Sequence, residues 1–216
     1  MPDKVSLAQL GQRADTHDAV CPTQHATAER ILSFVKPGDQ VLELGGGDGR
    51  LAMDIAPHVD SYICSDAAED LVSVAAARTR SLGNVRCVSL GTEDASLPRN
   101  QDIVLGIDLL HLLDDVPRAL QRMHWLLRPG GLLITRTVTV AGPTQALKLP
   151  DLLRRMMGRK PHMSMVTSAA LERMVRTAGF EVVSCDMVPR HSRNCMIVAR
   201  ARPSSGEATG EGAERL

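Results

Sequence analysis

A chain of 216 residues has room for one full hydrophobic core and is too short for two ordinary domains with a linker. Its basic and acidic side chains balance, so the basic surplus on which nucleic-acid proteins rely for phosphate contacts is missing, and nucleic acid is not an expected partner. Phe34, Tyr62, Trp125 and Phe180 are its only aromatic residues, which excludes a platform of stacked rings and leaves pocket walls to Leu, Val, Met and His.

The polar start lacks an apolar core of signal-peptide length, and no run reaches the length of a membrane span, so stable membrane insertion is not expected. Five cysteines without a C-x-x-C pair read as reduced thiols, and cytoplasm is the expected location. Ala28, Ile31, Leu32 and Val35 recur on one helical face, stopped by Pro37-Gly38. Val41 to Leu44 is a short apolar strand that runs into Gly45-Gly46-Gly47-Asp48-Gly49, and Arg50 to Ala56 reads as a helix. Tyr62 to Cys64 is a second strand, ended by Asp66. Leu71, Val74, Ala75, Arg78 and Leu82 form a helical stripe closed by Gly83 as a left-handed cap.

Strands follow at Val85 to Leu90 and Asp102 to Ile107, then a helix from Pro117 to Leu127 with proline in its first turn. Arg128-Pro129-Gly130-Gly131 reads as a turn and Leu132 to Val138 as the fifth strand. A later helix carries Leu171, Met174, Val175 and Ala178, capped by Thr167 or Ser168 and stopped by Gly179. Phe180 to Met187 and Asn194 to Ala201 close the pattern as an antiparallel hairpin or near neighbours. Alternation through the first five strands predicts an α/β fold, doubly wound, with parallel pairing and helices on both faces.

The glycine run carries the most chemical information. A tight turn from a buried strand into a helix needs residues that tolerate positive φ and leave room for a ligand at the carboxyl end of the strand. A dinucleotide fingerprint fails because its third glycine would fall on Arg50, and the Gly-Lys-Ser/Thr ending of a phosphate loop is absent. The pattern Glu43-x-Gly45-x-Gly47-x-Gly49 instead resembles the first motif of class I S-adenosylmethionine-dependent methyltransferases. The resemblance implies that Gly45, Gly46, Gly47 and Gly49 admit a methionyl group, with Glu43 favouring its cationic amine.

Asp66, followed by Ala67, stands about twenty residues past the loop, where a carboxylate accepts from the ribose hydroxyls. The same residue also suits a helix cap. In the family, the segment at Thr92, Glu93 and Asp94 holds the adenine edge, and which of the three does so is left open. The run from Asp102 to His111, followed by His124-Trp125-Leu126-Leu127-Arg128-Pro129-Gly130-Gly131, is similar to the type-11 subgroup of these enzymes. The likeness covers Ile31 to Val138 and implies a Rossmann-like seven-stranded sheet in the order 3-2-1-4-5-7-6 with one antiparallel strand. It places Gly106, Ile107 and Asp108 beside the methionine moiety and His111 at the mouth of the site. His111 reads either as a general base or as a group that bonds a neighbouring loop.

His17, Cys21 and His25 recur every four residues, but Pro22 interrupts them and no carboxylate completes a ligand set, so no metal is expected. By the resemblance, residues 1–30 form a lid that brings His17 and His25 toward substrate, and residues 31–201 form the methyltransferase domain. Within it, residues 139–166 read as a substrate cap in which Arg154 and Arg155 meet an anionic or amphipathic acceptor; a solvated basic face is the rival reading. Residues 202–216 read as a disordered tail. The expected activity is methyl transfer from S-adenosylmethionine to a small-molecule acceptor. The alternatives are a non-catalytic subunit that keeps the fold and, less favoured, a dehydrogenase; a homodimer stays open.

Overall fold

A computed structural model describes residues 22–140, 166–190 and 192–203. Helix α1 (Pro22–Leu32) leads to β1 (Gln40–Leu44), the glycine turn and α2 (Arg50–Ile55). Then come β2 (Ser61–Asp66), α3 (Glu69–Arg78), β3 (Val85–Ser89) and β4 (Gln101–Ile107). After a short 3-10 turn at Leu110–Leu112 follow α4 (Val116–Leu126), β5 (Leu127–Val138), α5 (Ser168–Thr177), β6 (Phe180–Met187) and β7 (Asn194–Ala201).

The strands form one sheet in the order β3-β2-β1-β4-β5-β7-β6. β1 to β5 pair in parallel, and β7 runs antiparallel to both β5 and β6. Side chains alternate across this sheet into two cores. Leu42, Val104, Leu133 and Ile197 point to the face packed by Leu120, Met123, Leu171 and Val175 of α4 and α5. Their neighbours Val41, Ile103, Ile134 and Val198 point to the face packed by Ile31, Ile55 and Ala75 of α1, α2 and α3. Both faces are buried, which is why the strands read as continuous apolar runs. The fold is the Rossmann-like, doubly wound arrangement expected from the resemblance.

Local details differ from the expectations. Helix α1 begins at Pro22 and buries Ala28 and Ile31, so it crosses the expected boundary between lid and domain at residue 30. Helix α3 ends at Arg78, where the Thr79 hydroxyl donates back to Ala75 O and Leu82 N closes a turn on Thr79 O. Gly83 is not among the positive-φ glycines and caps nothing. Arg128 to Gly131 is not a turn but the start of β5, where the pairing with β4 slips between Gln101 and Ile103. The expected cap of α5 is present, with Thr167 accepting from Ala170 N, and α4 is capped by Asp115, which accepts from Arg118 N.

Candidate active site

The carboxyl ends of β1, β4 and β5 and one face of α1 surround a cavity of about 590 Å³. This is within the range of roughly 300–1,000 Å³ usual for small-molecule sites. Of the residues predicted from sequence, Glu43, Gly45, Gly46, Ile107, Asp108 and His111 line it. Gly47 and Gly49 lie in the turn but are not among the lining residues, and Asp66, Ala67 and the segment at Thr92, Glu93 and Asp94 also lie outside its walls, at the ends of the adjoining strands β2 and β3. The two ends are neighbours, since a Cβ built on Gly91 would make an ordinary contact with Ala67 Cβ at 3.8 Å. Gly106 lies beneath the cavity, and the space that its missing side chain leaves is taken by Met123.

The glycine turn is braced from three sides. The Asp66 carboxylate accepts from Gly47 N at 3.0 Å through one oxygen and from Ala68 N at 2.9 Å through the other. It therefore ties the turn to the end of β2 and makes no cap bond to α3. Asp48 is held by Arg50 at 2.9 Å and by Arg78 at 2.6 Å. Burial alone would raise the Asp48 carboxyl, but hydrogen bonds and charge from the two arginines outweigh it and hold the group below the usual carboxylate range. Beneath the turn, Glu43 is fully buried and accepts from Tyr62 Oη at 2.8 Å. Desolvation pushes its pKa up to about 7, against the lowering effect of the Tyr62 and Cys64 hydrogen bonds.

On the opposite wall, His111 Nδ1 meets Thr137 Oγ1 of β5 at 3.0 Å. Burial lowers the imidazole pKa, offset only in part by the Asp108 charge. Asp108 adopts φ +54 and is gripped by Arg136, a buried cation that belongs to none of the sequence motifs. Arg136 also donates to Thr23 O and Thr27 Oγ1, so one guanidinium joins β4, β5 and α1. A signal existed: an arginine inside the apolar run Leu132-Leu133-Ile134-Thr135 to Val138 must find an acid when buried.

Thr23, Gln24, Thr27 and Asn194 complete the walls. His25 does not reach them. It is exposed on the outer side of α1 and pairs with Glu29 at 3.2 Å. Thr23 and Thr27 share the inward face of α1, and two residues along an α-helix turn a side chain to the far side. Glu93 is exposed and paired with Arg118 at 2.9 Å, while Asp94 Oδ1 accepts from Ser96 N at 2.8 Å. His17, Cys21, Arg154 and Arg155 lie outside the described residues, as do most of the expected cap and tail. Among the described residues no cluster of three or more His, Cys, Asp or Glu is placed to hold a metal ion, and no helix is long and apolar enough to cross a membrane.

Replacing Arg136 with methionine is expected to cost about 2 kcal/mol of stability, because its hydrogen bonds to Asp108, Thr23 and Thr27 are lost while Asp108 can still reach water. Hydrogen exchange should then show α1 unprotected and β1–β2 unchanged. Undiminished protection of α1 would mean that its apolar face alone holds it.

A family model described as a methyltransferase domain matches residues 20–185, and the chain belongs to that family. With the strand order and the glycine turn described above, this is the class I, S-adenosylmethionine-dependent branch. Among curated proteins, the mitochondrial arginine-hydroxylase NDUFAF5 of Homo sapiens is 27% identical over 167 residues, 74% of this chain and 47% of the relative. Malonyl-(acyl-carrier protein) O-methyltransferase of Serratia marcescens is 29% identical over 152 residues, 67% of this chain and 57% of the relative. The chain thus spans about half the length of these curated relatives. Among solved structures, the YcgJ protein of Bacillus subtilis shares the fold, with a TM-score of 0.69, 15% identity and coverage of 83% of this chain and 100% of that one.

The residues present fit S-adenosylmethionine. A Cβ built on Gly47 meets nothing within 4 Å, so the turn keeps an open cradle against its backbone. The buried Glu43 carboxyl borders the cavity beside Gly45 and Gly46, and Asp66 closes the adjoining strand. An amine, a carboxylate and a ribose would each meet a group of matching character there.

Proposed function

We propose that this chain transfers the methyl group of S-adenosylmethionine to a small polar acceptor held between His111, Arg136, Asn194 and α1. The observation that carries this reading is the cavity itself, which runs without a break from the glycine turn to the polar wall of His111 and Asn194. When bound, the cofactor supplies a methyl group already activated by the positive charge on its sulfur. The chain's own residues then have a positioning task. The glycine turn, Glu43 and Asp66 hold the cofactor side. Thr23, Gln24, Thr27 and Asn194 offer hydroxyl and amide groups on the acceptor side, with no Phe, Tyr or Trp among the described residues that line it.

His111 takes up the proton. In the tautomer in which Nδ1–H donates to Thr137 Oγ1, Nε2 is left as an acceptor, without a partner among the described residues. Burial keeps the ring neutral at neutral pH, so it can accept a proton from an acceptor hydroxyl or amine. The names of the relatives include both a hydroxylase and methyltransferases, so the acceptor class rests on these walls.

The test is calorimetry with S-adenosylmethionine, S-adenosylhomocysteine and NAD, followed by an assay of S-adenosylhomocysteine release over a panel of small hydroxy and amino compounds. Binding of the first two, with turnover of a polar acceptor, is the expected result. Binding of NAD alone, or binding of S-adenosylmethionine with no turnover over the panel, would replace the reading with a dehydrogenase or a non-catalytic subunit. The acidic limb of kcat/KM should fall below pH 6.5, the ordinary imidazole value, because the His111 pKa is lowered. In His111→Gln that limb should vanish and kcat should drop about a hundredfold. An unchanged profile would leave His111 as the partner of Thr137 alone.

A further inference from the structure

A second cavity, of about 310 Å³, opens at the opposite end of the sheet, where β4 and β5 begin and α4 ends. β4 is seven residues long. At the usual rise this puts about 20 Å between the two cavities, and the proposed reaction makes no use of this end. Its rim carries Arg99, Arg128 and Arg202 with His124 and Trp125, and no Asp or Glu is among the described residues that line it. In a chain of zero formal net charge this is a local concentration of cations.

The cations are also held in place. Arg99 lies over the Trp125 ring at 4.0 Å from its centroid, and Arg122 at 4.1 Å. A guanidinium stacked on a ring face keeps its N–H edges directed outward, which is the fork that matches a phosphate or carboxylate. Arg202 is anchored by its backbone, whose N–H donates to Gly179 O and whose carbonyl meets His124 Nε2 at 3.1 Å. Neither Arg99 nor Arg202 has a carboxylate partner among the described residues, whereas Arg128 is paired with Asp102 at 2.5 Å. The slipped start of β5 shapes the rim. Gly131 sits where a Cβ would meet the carbonyl oxygens of Arg128, Asp102 and Gln101 at 3.0 Å.

We propose that this cavity binds a compact anion with a diphosphate group, either free or as part of a nucleoside diphosphate. Two guanidiniums without a carboxylate partner among the described residues, beside a third paired with Asp102, leave an excess of positive charge at this rim. The concave shape and small volume suit a small molecule better than a nucleic-acid backbone or an acidic protein face. The proposal stands independently of the methyl-transfer reading, because it shares no wall with the first cavity.

Trp125 is the only tryptophan in the chain, so its fluorescence reports on this site alone. The intact chain is titrated with inorganic pyrophosphate, with ADP, with orthophosphate, and with sodium chloride at matched ionic strength. The expected result is a saturable, one-to-one change in emission with pyrophosphate that chloride does not reproduce and orthophosphate produces only weakly. In the double variant Arg99→Gln, Arg202→Gln the affinity should fall by roughly tenfold or more. Arg99→Lys, which keeps the charge but loses the stacked, forked guanidinium, should bind more weakly than wild type and more tightly than the double variant, and S-adenosylmethionine affinity by calorimetry should be unchanged in all variants. Equal affinity for ADP and pyrophosphate assigns the site to the diphosphate alone, and tighter ADP binding assigns it to a nucleotide. An equal response to chloride, or full binding by the folded double variant, would overturn the proposal.

Discussion

Gly47→Val is expected to abolish cofactor binding, with a loss of more than about a hundredfold in affinity, or about 3 kcal/mol, while the chain still folds. Gly47 has φ +54, and a Cβ there meets no heavy atom within 4 Å. A branched side chain would thus enter the space against which the cofactor must lie, from a Cβ that itself meets no protein atom. The left-handed backbone costs a β-branched residue about 1–2 kcal/mol, which a folded domain tolerates. Gly46→Ala behaves differently, because its Cβ would come within 2.4 Å of Cys64 Sγ and 2.8 Å of Glu43 Oε2. That change acts on the fold itself. Calorimetric titration with S-adenosylhomocysteine beside thermal unfolding separates the two outcomes. Wild-type affinity in folded Gly47→Val would remove this turn from the cofactor site.

Glu43→Gln should flatten the pH dependence of stability. The Glu43 pKa is about 7 in the fold and 4.5 in its absence, so between these values the native chain carries a proton that the unfolded chain has lost. Stability from this group is therefore fully present below pH 4.5, falls as pH rises through 7, and is flat above. The loss is about 3 kcal/mol, from roughly 1.4 kcal/mol per pH unit. Glutamine keeps an oxygen for Tyr62 Oη and has no proton to lose, so the variant should be the more stable of the two at pH 8. Urea midpoints at pH 5 and pH 8 check this. A cationic amine bound beside Glu43 would favour its ionised form. Cofactor binding at pH 7 should then release about half a proton, measured as a dependence of binding enthalpy on buffer. Parallel pH profiles for wild type and Glu43→Gln would place the proton elsewhere.

Several misreadings share one cause. The resemblance turned His25 toward substrate, but it lies on the outer side of α1, because a sequence period says which residues share a face and not which face turns inward. The apolar positions Ala28 and Ile31 orient α1, and they bring Thr23 and Thr27 to the cavity. Gly83 looked like a stop because glycine permits a left-handed cap, yet α3 had already ended at Arg78, with Thr79 as its cap. Arg128 to Gly131 looked like a turn because proline and glycines break local order. In the sheet, the same residues absorb a register slip.

The sequence by itself determined what local chemistry controls: alternating strand and helix periods, most helix stops and caps, and a glycine turn that leaves strand β1 toward a ligand. Those features depend on backbone conformational preference and hydrophobic period, which act over a few residues. The strand order came only through the resemblance, since period alone does not say which strands are neighbours. The tertiary structure decided everything that pairs distant residues. It set Arg136 against Asp108 across β4 and β5, brought His111 to Thr137, and laid Glu43 under Gly46 beside Tyr62. It also decided charge: the Glu43 pKa near 7 arises from complete burial, and desolvation belongs to the folded environment.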